Sequence, residues 1–163
     1  MATVFKPPTQ PILGNKLSVF LAGTIDNGKA EDWQARVELS LQDLDIVILN
    51  PRRDEWDASW EQRVDYAPFR QQVEWELDGL ESVSVILMYF APGSQSPISL
   101  LEFGLWAASN KLIVVSPLGF WRRGNIEVVA HRYGLPLFEH LEDGLAALRS
   151  RLSEKDIGEG IEP

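Results

Sequence analysis

Two carboxylates of this chain stand among apolar residues, where a charge needs a reason. Glu102 lies in "SPISLLEFGLWAAS", Ser96 to Ser109, between Leu101 and Phe103, with Ile98, Leu105 and Trp106 within a turn of it. Glu76 lies in "VEWELDGLES", beside Val73 and Leu80, whereas Glu74, Asp78 and Glu81 share one polar face with Gln71. Most carboxylate chemistry uses two such groups, one ionised as nucleophile or base and one holding a proton as acid. Each also has a plainer reading. Ser99, Glu102 and Ser109 could form a thin solvated stripe on a packed helix, and Glu76 could snorkel or pair with a cation.

The surroundings of Glu102 bear on the choice. Ser96 followed by Pro97 is a helix start, with Ser as N-cap and Pro in the first helical position. Glu102 then falls in the second turn, near the end where backbone dipoles favour an anion. Upstream, "LAGTIDNG" is a strand running into a glycine turn at Gly23. It lacks the third glycine of a dinucleotide fingerprint and the Gly-Lys-Ser/Thr of a P-loop. It reads as a turn that brings backbone N–H groups towards a ligand, or as a tight turn and nothing more.

Composition narrows the classes. The chain has 163 residues, 45% hydrophobic and 10% aromatic, enough for a packed core. It has no cysteine, which removes disulfides, thiolate catalysis and cysteine zinc sites. His131 and His140 lack any metal-ligand spacing and read as surface or helix-end residues, so neither a metal nor an organic cofactor is expected. A net charge of −9 argues against a nucleic-acid polymer as partner. Two arginine pairs, Arg52–Arg53 and Arg122–Arg123, are local exceptions, commonly solvated and less often anion contacts. No apolar run reaches the roughly 18 residues of a membrane span, and the N-terminus has no long apolar region of a secretory signal. A cytoplasmic protein with a small-molecule ligand is the expectation.

These residues need a frame. Residues 1–16 are rich in Pro and polar residues and read as an extended arm. "LSVFLAG", "DIVILNP", "VSVILMYF", "KLIVVSP" and "LPLFEH" read as five buried strands. Helical spacing joins Trp33, Val37, Leu41 and Leu44; then Phe69, Val73, Leu77 and Leu80; and last Leu141, Leu145, Leu148 and Leu152. Strands alternating with helices predict an α/β, flavodoxin-like (Rossmann-like) three-layer sandwich with a five-stranded parallel sheet. It would occupy 17–152 as a single domain, with 153–163 a flexible acidic tail. Ligands of such sheets bind beyond the carboxyl ends of the strands. That rule selects Gly23 to Gly28, the long segment after Asn50 with Trp56 and Trp60, and Ala91 to Ser96.

Together, "VFLAGTID", "VEWELDGLESVSVILMYF", "SPISLLEFGLWAAS" and "NKLIVV" resemble the nucleoside 2-deoxyribosyltransferase family, from about Leu17 to Leu141. The resemblance implies a flavodoxin-like enzyme that cleaves the N-glycosidic bond of 2′-deoxynucleosides. Its nucleophile, a Glu shortly before a Gly in an apolar helix, corresponds to Glu102 with Gly104 following. Its second acid corresponds to Glu76 ahead of Leu77, with Asp78 as a rival because the family usually has Asp there. The implied mechanism forms a glycosyl-Glu102 ester while the second acid protonates the departing base, with the carboxyls roughly 5 Å apart. A second base then gives transfer, and water gives hydrolysis.

Three departures stand out. The family has Tyr where this chain has Phe20, so another hydroxyl, such as that of Tyr89, would have to serve. Ser96 replaces an acid that holds the sugar 5′-hydroxyl and resembles the related deoxynucleoside 5′-monophosphate N-hydrolases instead. Asp26 stands where those hydrolases have a cation. Gly23, Thr24, Ile25 and Asp26 would form one wall of the site, with Trp56 and Trp60 packing on the base or down onto the core. Asn125 either reaches the site of an adjacent subunit, implying a homo-oligomer (dimer or higher), or caps the helix that begins there. A flavodoxin-like binding module without catalysis is the alternative to an enzyme.

Overall fold

A computed structural model describes residues 1–25, 30–55 and 57–154. Six strands and five helices alternate along the chain. The strands are β1 (Thr3–Phe5), β2 (Ser18–Gly23), β3 (Val47–Leu49), β4 (Val85–Tyr89), β5 (Leu112–Val115) and β6 (Leu137–Phe138). The helices are α1 (Trp33–Leu41), α2 (Ala67–Ser82), α3 (Pro97–Trp106), α4 (Arg123–Tyr133) and α5 (Leu141–Glu154). The sheet order is β1-β3-β2-β4-β5-β6. Without β1, this is the order of the flavodoxin-like doubly wound fold, so the α/β expectation holds.

The strand count differs from the expected five. Thr3, Val4 and Phe5 pair in parallel with Val47, Ile48 and Leu49, so the N-terminal arm contributes an edge strand. Three residues between Ala2 and the Lys6-Pro7-Pro8 run are too short an apolar stretch to announce a strand. Their stability comes from the template that β3 offers.

Internal packing divides the chain into two compact units, Met1–Ile86 and Leu87–Pro163. In the first, β2 pairs with β3 in parallel, Ser18 opposite Val47 and Phe20 opposite Leu49. Val19, Phe20, Leu21, Ile48 and Leu49 are buried, as a strand covered on both faces requires. Asp32 caps α1 by accepting from the Ala35 amide at 3.0 Å, and Trp33, Val37 and Leu41 face inward. Leu44 falls beyond the helix.

Helix α2 does not bury the expected stripe. Its inward residues are Gln72, Trp75, Gly79 and Leu80, while Leu77 is 42% exposed and Phe69 and Val73 are half-buried. The cause is close approach. A Cβ on Gly79 would lie 2.8 Å from Phe20 Cε2 and 3.0 Å from Leu49 Cδ2. The helix turns its smallest residue to the sheet, and Phe20 also packs against Trp75 at 6.0 Å between ring centres. That rotation carries Gln72 inward and leaves Glu76 at the border.

In the second unit β5 and β6 pair in parallel, Val114 opposite Leu137 and Val115 opposite Phe138. Leu141, Leu148 and Leu152 are buried on α5, as the spacing predicts, with Leu145 half-buried. Gly144 sits so close to the Val115 side chain that no Cβ fits there. Phe90 forms a small aromatic cluster with Phe103 and Phe120, at 6.0 and 4.9 Å. Ser153 and Glu154 close α5; the rest of the expected tail lies outside the described residues.

Candidate functional site

The candidate residues are taken unit by unit. In the first unit, β2 ends at Gly23, whose φ of +137° is a conformation that side chains disfavour. The chain then turns through Thr24 and Ile25, and Thr24 is buried. The Trp33 indole donates to the Thr24 carbonyl at 2.9 Å, and the Ala30 amide donates to the Ile25 carbonyl at 3.3 Å. The turn is therefore anchored by its own backbone oxygens. Asp26 and Gly28 lie outside the described residues.

The segment after β3 is also fastened. Asn50 is buried; its amide donates to Glu38 Oε1 at 2.5 Å, and its Oδ1 accepts from the Arg52 backbone N–H at 2.9 Å. Arg52 donates to the Ala30 and Glu31 carbonyls at 2.8 and 3.3 Å, tying this segment to the loop before α1. Arg53 Nε donates to Gln72 Oε1 at 2.5 Å, and its guanidinium lies 4.8 Å from the Trp60 ring centre. Neither arginine is the solvated charge that its type suggests. Trp60 packs onto Arg53, and Trp56 lies outside the described residues. Pro7, Pro8, Arg53 and Trp60 help line an open cavity of about 400 Å³.

Glu76 belongs to this constellation. Gln72, one turn earlier on α2, donates from Nε2 to Glu76 Oε1 at 2.6 Å. Burial pushes the Glu76 carboxyl up to about 7, against the Gln72 hydrogen bond and the Arg53 charge, which both pull it down. Burial likewise lowers the Arg53 guanidinium, with Glu76 opposing that shift. Asp78 is exposed on the same helix. Gln72 was not among the sequence candidates; its signal was the four-residue spacing to Glu76, which puts the two side chains on neighbouring turns.

In the second unit, α3 reverses its own hydropathy. Ser99 and Glu102 are buried, 6% and 7% exposed, together with Phe103. Ile98, Leu101 and Leu105 face out, 59%, 59% and 57% exposed. The solvated-stripe reading of Ser99 and Glu102 is thereby overturned: the polar edge of the helix is its inner edge. Phe103 secures this orientation by its edge-on contact with Phe90.

Ser96 precedes α3 in the left-handed region, φ 46° and ψ 52°, and its side chain makes no capping bond. Its Oγ lies 2.9 Å from Ser94 Oγ instead. The expected cap fails because a left-handed backbone turns the side chain away from the first helical N–H groups. Tyr89 ends β4 half-buried. The Trp121 indole donates to the Gln95 carbonyl at 3.0 Å, pinning the loop that holds Ser96.

Asn125 does not cap α4. Arg122 holds the cap position, and Asn125 lies exposed in the first turn, its backbone N–H donating to the Arg122 carbonyl at 3.0 Å. Arg122 stacks on Trp121 at 4.1 Å, and Arg123 donates to Glu127 at 2.8 Å. His131, in the last turn of α4, and His140, before α5, are both exposed. Among the described residues no helix is long and apolar enough to cross a membrane.

Helices α2 and α3, which precede and follow β4 in the chain, each carry one candidate carboxylate, Glu76 and Glu102, on a parallel α/β fold. The chain belongs to the nucleoside 2-deoxyribosyltransferase-like family, whose profile it matches over residues 16–120. That span includes Gly23, Glu76, Ser96 and Glu102 and stops short of Asn125. The family is one of glycosyl-transferring and hydrolysing enzymes. No curated protein matches the chain.

Proposed function

We propose that the protein cleaves the N-glycosidic bond of 2′-deoxynucleosides and transfers the deoxyribosyl group to another base. Glu102, ionised, attacks the anomeric carbon and forms a glycosyl ester; Glu76 protonates the departing base. The incoming base then displaces Glu102 and returns a proton to Glu76. The observation that carries this reading is the burial of Glu102 on the inner edge of a helix whose Ile98, Leu101 and Leu105 face outward. A chain that needed only a packed helix would have buried Ile98, Leu101 and Leu105. The raised Glu76 carboxyl supports Glu76 over exposed Asp78 as the acid, since a group near 7 retains a proton to give at neutral pH.

A second reading, hydrolysis of deoxynucleoside 5′-monophosphates, is favoured by one feature. At the head of α3 the neighbouring groups are the Ser94 and Ser96 hydroxyls, and a phosphate is repelled by neither. The exposed face of α3 and the exposed Asn125 support a homo-oligomer in which Asn125 serves an adjacent subunit. Incubating the protein with each 2′-deoxynucleoside and each 5′-monophosphate, with and without a free base, separates the readings by chromatography. A new nucleoside that requires the acceptor establishes transfer; free base with deoxyribose or its phosphate establishes hydrolysis. No turnover of any substrate would leave a binding module without catalysis.

A further inference from the structure

The Glu76 carboxyl is held by a side chain whose orientation is itself imposed. Gln72 is only 3% exposed and uses both ends of its amide. Oε1 accepts from Arg53 Nε at 2.5 Å; Nε2 donates to Glu76 Oε1 at 2.6 Å and to the Pro51 carbonyl at 3.3 Å. A guanidinium only donates and a peptide carbonyl only accepts. Arg53 therefore fixes the amide oxygen on its side, and Pro51 fixes the amide nitrogen on the other. Glu76 Oε1 always meets an N–H, so when the carboxyl is neutral that oxygen is the carbonyl and Oε2 carries the proton.

Resting on the reading of Glu76 as the acid, we propose that Arg53 is a positioning residue: through Gln72 it makes Oε2 of Glu76 the atom that delivers the proton. The proton passes from Oε2 to a nitrogen of the departing base, and the electrons of the broken C–N bond go to that base. Glu76 is left as a carboxylate whose Oε1 keeps the Gln72 N–H and whose charge faces Arg53. Burial holds the proton before the step, and the relay stabilises the anion after it.

The charged group acting on Glu76 from the segment after β3 is Arg53. On α2 itself Glu74 and Asp78 are exposed, and β2 and β3 present apolar Phe20 and Leu49 to the helix at Gly79. Arg53 also stacks on Trp60 beside the open cavity, so the state of the acid is tied to the long segment between β3 and α2.

The test is a carboxyl ¹³C NMR titration of the full chain, with Glu76 assigned through Glu76→Gln. Wild type, Arg53→Met and Arg53→Lys are compared, beside the pH dependence of kcat and KM on the deoxynucleoside turned over. In Arg53→Met the Glu76 midpoint moves up from about 7, and the basic limb of kcat moves with it. Its kcat falls about tenfold while KM changes less than about threefold, as expected for a misplaced acid. Arg53→Lys, which keeps the charge and an N–H donor, brings the midpoint back towards wild type. An unchanged midpoint in Arg53→Met overturns the proposal, as does lost activity with an unmoved pH profile. The titration needs no turnover, so it judges Arg53 separately. A wild type that turns over nothing removes the catalytic reading, and with it the proton's destination.

Discussion

The Phe20 ring occupies the space that any side chain on Gly79 would need: a Cβ there would come within 2.8 Å of Phe20 Cε2. Gly79→Ala sets two effects against each other. Alanine gains about 1 kcal/mol of helix propensity, whereas overpacking a rigid ring in a filled core costs typically about 1–3 kcal/mol. The ring and Leu49 leave no direction of relief, so the variant loses about 1 kcal/mol or more in urea unfolding. Combining it with Phe20→Leu recovers part of the loss, because the two sites share one contact. Equal and additive losses would show that the helix had shifted instead.

Glu76 makes stability depend on pH in a particular window. Its carboxyl titrates at about 7 in the folded chain, above the ordinary value of 4.5, so the folded state holds the extra proton between those values. The unfolded state binds fewer protons there, and stability therefore falls as pH rises from about 4.5 to about 7, then levels. Glu76→Gln removes that slope. Relative to wild type it gains about 1–2 kcal/mol at pH 8 over pH 5, somewhat under the bare shift because the residue keeps some solvent contact. Denaturant curves at the two pH values measure it; parallel curves for both proteins would place the carboxyl in ordinary solvent.

Glu102→Gln keeps the shape of the side chain and removes the charge proposed to act as the nucleophile. Turnover drops by about a thousandfold or more, as when a covalent nucleophile is lost. The far-ultraviolet spectrum and melting temperature stay close to wild type, because a buried neutral amide costs less to desolvate than a carboxylate. Full activity in this variant would assign the attack to another group.

The outward stripe of α3 is open to a direct charge test. Leu101→Glu with Leu105→Glu puts two anions on a face that is more than half exposed. Light scattering after gel filtration is expected to report a fall to the monomer, with the melting curve of the monomer little changed. An unchanged mass would mean that this face covers no second copy.

Strands β2, β3, β4 and β5 were legible because each is an unbroken apolar run, and α5 because its leucines keep a single period. The helices that carry the candidate carboxylates were harder to read. On α2 the deciding residue is Gly79, whose lack of a side chain sets the inward face, and hydropathy gives glycine no weight. On α3 the apolar pattern was real but marked the outer surface, since a period cannot say which side meets the core. The Arg53–Gln72–Glu76 chain joins residues 19 and four positions apart in sequence; only its second link leaves a helical trace.

A helix with Leu101 and Leu105 outside and its glutamate inside answers to two separate demands. Under the proposed mechanism, changes at Glu102 bear on turnover, whereas those at Ile98, Leu101 and Leu105 bear on the solubility of an exposed apolar face. An attempt to make the protein better behaved by painting that outer stripe with charge would act one side chain away from the proposed nucleophile. Selection for expression and selection for activity would then return different halves of the same three turns.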